Sequence, residues 1–301
     1  MAVIVCVGWV LGRFRMLGAD AARVLAKVTF TVAIPALLVV TVAHADLRVL
    51  WSWSAAVTAV ATGVVALVAV LVLRLVWGRD VGEVTVGALA ASYLNAAHLG
   101  IPVAVYVIGD PVAAVPTLLF QQLVLGPVAF TVLDRAPAQA GVSAAPARRP
   151  SVVGRTLRNP IIVASLTGLL LAALPWDLPE VVHEPFRVLG AAAAPMALVA
   201  FGMSLAVARG TGERRLTRDL VLVCVLRALV HPALAAGLGL AVGLDRPALL
   251  AVVTMAALPT AQNVLVFALQ YGRGTRLARD AGLVTTLLAA PVLVLVAALL
   301  G

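Results

Sequence analysis

Apolar runs close to the thickness of a bilayer, separated by short polar loops, leave this chain few ways to fold. A transmembrane helix needs about 20 apolar residues. Ten such runs lie near residues 1–12, 21–44, 53–77, 81–108, 112–133, 157–175, 185–207, 218–243, 246–271 and 277–300. The first is short: at a rise of about 1.5 Å, twelve residues make roughly 18 Å of helix against a hydrocarbon core of about 30 Å. Either this helix is short, its polar flank is drawn in, or the chain starts further upstream; the basic lead of a signal peptide is missing. With 63% hydrophobic and 12% charged residues and a mean hydropathy of +1.10, the chain reads as an all-α polytopic membrane protein.

A net charge of +9 would suggest nucleic acid only if the basic residues shared a solvated face. They sit in loops instead. The odd-numbered loops hold 18 Lys and Arg and the even-numbered ones 3 (Arg48, Arg187 and Arg246), while Arg227 lies inside a span. By the positive-inside rule the odd loops are cytoplasmic and both termini extracytoplasmic, in the cell (plasma) membrane. A miscounted span would scramble that split. The longest loop, 134–156, is rich in Ala, Pro, Ser and Arg and reads as a flexible cytoplasmic linker. It divides the chain into a five-helix repeat at 1–133 and a second at 157–301, and five spans per half make the second enter the membrane inverted.

Polar residues inside the spans mark the expected site. In ALPTAQNVLVFALQYG (257–272), Pro259 breaks the helical ladder and Thr260, Gln262 and Asn263 follow, with Gln270 beyond. In ASYLNAAHLGIPVAVYVIG (91–109), Asn95 and His98 sit in a run weakened by Gly100 and Pro102. Broken helices survive at membrane depth only where their freed backbone faces protein or a water-filled cavity. Two such segments at matching places in two halves point to a transporter's midplane site. Other punctuation repeats in order, IPALL at Pro35 with APMAL at Pro195, and Pro127 with Pro291.

These motifs, together with RNP at 158–160 and APMALVAFGMSL in span seven, make the chain resemble the auxin efflux carrier family over nearly its whole length. The resemblance implies ten helices in two inverted repeats of five, with helices 4 and 9 broken and crossed, a bile-acid-symporter-like and NhaA-like arrangement. It also implies a scaffold of helices 1, 2, 6 and 7 against a moving transport domain. Asn95 matches the family's crossover Asn that faces the substrate carboxylate in the plant exporters, and Pro259 matches the crossover proline of the second repeat. Thr260, Gln262 and Asn263 match the polar turn after it, while Leu94 stands where plant members carry a proline.

An anion at the midplane needs donors without full charges of their own. Half-helix N-termini and Asn or Gln amides supply them. Asn95 and Asn263 are the preferred ligands, with Thr260, Gln262 and His98 beside them; the alternative, favoured for Gln262, is that they only satisfy broken backbone. His98 is the proton-coupling candidate, against a neutral histidine hydrogen-bonded in the core. Arg227 and His231, one turn apart ahead of Pro232, either attract anions or see Arg227 snorkel toward the cytoplasm or pair with carbonyls near the proline. His44 and His183 read as interfacial, Trp51 and Trp53 as an aromatic belt, and GERR and ARRP as basic flanks near anionic lipid.

The expected function is secondary active transport of small organic anions, auxin-like or dicarboxylic, by alternating access. The alternative is a sodium- or proton-coupled symporter or antiporter, against which the lack of deep Asp or Glu argues. No HExxH, aspartate pair or Ser/His dyad supports an enzyme. Cys6 and Cys224 stand singly without metal spacing, so no metal or cofactor is expected. The expected partners are the anion and membrane lipid, with a homodimer allowed for and no nucleic acid.

Overall fold

Backbone groups in lipid must bond within their own segment, and the Val-, Leu- and Ala-rich runs do so as helices. The computed structural model describes residues 2–18, 20–43, 52–136, 154, 160–173, 179–207 and 216–300, and among these the regular structure is helical. The body of the linker, His44, Trp51, and the GERR and ARRP runs lie outside the described residues.

Helix α1 is Ala2–Arg13. Helix α2 runs through Ala21–Val28, a π-helical turn Thr29–Ala33 and Ile34–Ala43. Then come α3 (Trp53–Val76), α4 (Val81–Ser92), α5 (Ala96–Ile108) and α6 (Pro111–Arg135). The second half holds α7 (Pro160–Ala173), α8 (Glu180–Ala191), α9 (Ala193–Val207), α10 (Arg218–Ala241), α11 (Arg246–Ala256), α12 (Gln262–Tyr271) and α13 (Thr275–Leu300). Among the described residues, five helices are long and apolar enough to cross a membrane: Val24–Ala43 within α2, α3, α6, α10 and α13. Large apolar side chains such as Leu67, Leu75, Leu170, Leu240 and Val294 are exposed, the surface expected of a multi-pass membrane protein.

The chain forms two compact units. Unit 1 comprises 1–52, 96–118 and 157–213, and unit 2 comprises 53–95, 119–156 and 214–301. In unit 1, glycines let helices approach to backbone contact. A Cβ on Gly8 would lie 2.3 Å from the Val199 carbonyl oxygen, and one on Gly202 would lie 2.1 Å from that of Val5, so α1 and α9 tolerate no side chain at their crossing. Gly168 of α7 similarly abuts Val42 and the Leu38 carbonyl of α2.

In unit 2, the two short helices α4 and α11 are built alike. Each opens on an aspartate cap that satisfies free N–H groups of its first turn: Asp80 accepts from Gly82 N at 2.8 Å and Asp245 from Ala248 N at 2.9 Å. Each ends, after 12 and 11 residues respectively, in unwound chain. Ion pairs join the loop before α4 to the start of α10 (Arg79–Asp219, 3.0 Å) and to the loop before α13 (Asp80–Arg273, 3.1 Å). The hydrogen bond and charge of Asp219 push the Arg79 guanidinium pKa up from its ordinary value. These pairs gather the loop before α4, the start of α10 and the loop before α13 at one end of unit 2.

Candidate functional site

Proline explains one of the two interruptions by itself. Pro259 has no N–H to donate, and its ring disfavours helical geometry at Leu258; α11 accordingly stops at Ala256 and α12 begins at Gln262. The other interruption has no proline. Helix α4 stops at Ser92 and Tyr93 turns extended, with φ −83° and ψ 105°. This break lies at Tyr93–Asn95, upstream of Gly100 and Pro102 rather than at them. Both of those residues sit within α5, where π-helical turns at Ala96–Gly100 and Ala104–Ile108 flank Ile101–Val103 and absorb the lost N–H of Pro102 inside a continuous helix.

The two unwound stretches pair with each other. Asn95 N donates to the Pro259 carbonyl (2.9 Å), Ala261 N donates to the Tyr93 carbonyl (2.9 Å), and Leu94 and Thr260 face each other as an antiparallel bridge. This is a two-residue piece of β-ladder between broken helices. Side chains complete it. The Thr260 hydroxyl donates to the Ala90 carbonyl at 2.6 Å, and Thr260 N donates to the Thr285 hydroxyl at 3.1 Å.

The other edge of Leu94 is closed by a residue that the sequence reading missed. The Gln121 carboxamide donates to the Leu94 carbonyl at 3.2 Å, while its oxygen accepts from Leu94 N. Gln121 is 1% exposed, so this amide takes the place of a third strand. Its signal was in the sequence: FQQLVLGP sets two glutamines in an otherwise apolar span, and each needs a partner when buried.

Of the expected residues, Asn95, Pro259, Thr260, Gln262 and Asn263 lie together in unit 2. Asn95 is 2% exposed and its Oδ1, among the described residues, has no hydrogen-bond partner. Gln262 is exposed and Asn263 half-buried in the first turn of α12, at the positive dipole end of that helix. His98, Gly100 and Pro102 belong to unit 1. There the His98 ring stacks on Phe30, with centroids 6.1 Å apart and planes 13° apart.

Arg227 does not snorkel, nor does it serve carbonyls of its own helix. It is 1% exposed, and its guanidinium donates to the carbonyls of Ala91 (3.2 Å) and Ala256 (2.5 Å) and to His231 Nδ1 (2.7 Å). A guanidinium can only donate, so Nδ1 is an acceptor and the ring proton sits on Nε2, 3.3 Å from the Thr62 hydroxyl. A π-helical turn at Leu226–Val230 accommodates Pro232 and keeps Arg227 and His231 on one face.

The family described as membrane transport protein matches residues 1–144 and 146–297. A candidate malonate transporter of Rhizobium meliloti (strain 1021) is 29% identical over 263 residues, covering 85% of this chain and 80% of that protein. The chain therefore belongs to the auxin efflux carrier family of membrane transport proteins, and it is a transporter rather than an enzyme.

Proposed function

We propose that this protein is a secondary active transporter of small organic anions, dicarboxylates such as malonate first among them, working by alternating access with the carboxylate held at the paired break in unit 2. The observation that carries the reading is Asn95: a buried carboxamide whose Oδ1 has no partner among the described residues, beside backbone paired through Asn95 N, Leu94, Pro259 and Ala261. Such a group is costly unless a ligand completes it, and rotation of the amide presents Nδ2–H to a carboxylate. The side-chain amides of Asn263 and Gln262 and the positive dipole end of α12 add to it without a full charge, and Thr260 fixes the turn that precedes them. The relative's name agrees with a dicarboxylate.

The arrangement that serves this activity is ten spans in two inverted repeats, 1–133 and 157–301, joined by the cytoplasmic linker 134–156, with both termini outside the cell membrane. Two features support it: the alike caps and breaks of α4 and α11, and the meeting of odd-numbered loops. Unit 1 gathers α1, α2, α7, α8 and α9, the helices of spans 1, 2, 6 and 7 that the family resemblance assigns to a scaffold, together with α5 and the start of α6, which that resemblance does not assign to it. His98 is the group proposed to couple protons to anion movement.

Reconstituted protein is expected to take up labelled malonate saturably, and unlabelled mono- and dicarboxylates are expected to compete. Uptake no greater than in empty vesicles for malonate and for every labelled competitor would refute the reading.

A further inference from the structure

The carboxyl ends of α4 and α11 converge on one side chain. Each helix end carries unsatisfied carbonyls and a partial charge of roughly −0.5, so two ends together present about −1. Arg227 reaches both, through Ala91 and Ala256. Its third partner is the neutral His231 ring, held in turn by Thr62. Among the described residues no carboxylate pairs with Arg227, so its charge is matched by helix ends alone. In carriers with unwound helices, half-helix carboxyl ends and freed carbonyls are where a coupling sodium or proton is held.

We propose that Arg227 is a built-in cation occupying that seat: it holds the two broken helices in register permanently, and transport therefore proceeds without sodium. An arginine fits because its planar fork reaches two carbonyls and a ring nitrogen at once and keeps its charge when buried. A sodium ion in the same place would meet a fixed charge of like sign. The transport part of this inference rests on the carrier reading above; the part about holding the helices does not.

The test compares wild type, Arg227→Ala, Arg227→Met and Arg227→Lys in sodium, potassium or choline chloride and with millimolar guanidinium, reading melting temperature and uptake of the labelled dicarboxylate. Wild type is expected to differ by less than about twofold between sodium and choline, while Arg227→Ala loses about tenfold or more. Guanidinium, or a small alkali cation, should restore both the melting temperature and about fivefold of the uptake to Arg227→Ala and leave wild type unchanged. Arg227→Lys keeps the charge without the fork, and should be active without sodium and weaker than wild type.

Three results would overturn the proposal: wild-type uptake about tenfold greater in sodium than in choline, full uptake by Arg227→Met, or a folded Arg227→Ala that responds to no cation. If neither neutral variant folds, sodium-independent uptake by wild type and Arg227→Lys supports the proposal, and an inactive but folded Arg227→Lys overturns it. Wild type without any uptake would defeat the carrier reading instead, and the melting temperatures would then decide the role of Arg227 alone.

Discussion

Gln121→Leu is expected to abolish uptake and to lower stability at the same time. Leucine fills similar volume but bonds neither Leu94 N nor the Leu94 carbonyl, both of which depend on the Gln121 amide. Each buried, unpaired backbone group costs about 1–3 kcal/mol, so the loss is about 2–6 kcal/mol, a large share of the stability of an ordinary domain. The unwound Tyr93–Asn95 segment loses its second edge and with it the position of Asn95. Melting temperature and uptake should fall together, uptake by about a hundredfold or more. Gln121→Glu separates the causes: buried without a cation beside it, the carboxyl stays neutral, accepts from Leu94 N and donates its O–H to the carbonyl, so most of the clamp survives. Wild-type stability and uptake in Gln121→Leu would remove the clamp from the account.

Asn95→Ala should behave in the opposite way. The backbone bond from Asn95 N to Pro259 stays, and the deleted side chain has a buried oxygen without a partner among the described residues. Removing an unsatisfied polar group is neutral or stabilises by about 1 kcal/mol, whereas the lost ligand should lower kcat/KM by about tenfold to a hundredfold. A variant that melts no lower than wild type yet transports poorly is the signature of a side chain kept for its ligand. A fall in melting temperature matching the loss of uptake would mark Asn95 as structural. Asn95→Asp places an unpaired negative charge where the anion is proposed to sit, and should be worse than Asn95→Ala.

How much of this was legible in the sequence depended on whether the cause was local. Pro259 announces its break because a missing N–H acts on its own helix, and the apolar runs announce helices because lipid leaves the backbone no other choice. Asp80 and Asp245 sit just ahead of their runs, as caps do. The break at Tyr93–Asn95 was placed too late, at Gly100 and Pro102, because nothing in Tyr-Leu-Asn forbids a helix. What unwinds it is distant: Gln121 and the Thr260 turn, 27 and 166 residues from Leu94. Arg227 was visible as an intramembrane charge, but sequence gives a residue type and not the direction of its side chain. Its partners, on α4 and α11, lie 136 and 29 residues away.

The broken helices meet through two unwound segments, and a disulfide tests that contact most directly. Leu94 and Thr260 form a pair flanked by the bonds from Asn95 N and Ala261 N, the kind of antiparallel pair whose Cα atoms lie about 4.5 Å apart, within disulfide range. In a background with Cys6 and Cys224 replaced by alanine, Leu94→Cys with Thr260→Cys should cross-link almost completely under mild oxidation in the membrane, as read by mass spectrometry of the joined peptides. Two free thiols remaining after oxidation, in protein that still melts cooperatively, would show that the broken helices do not pair and would contradict the account.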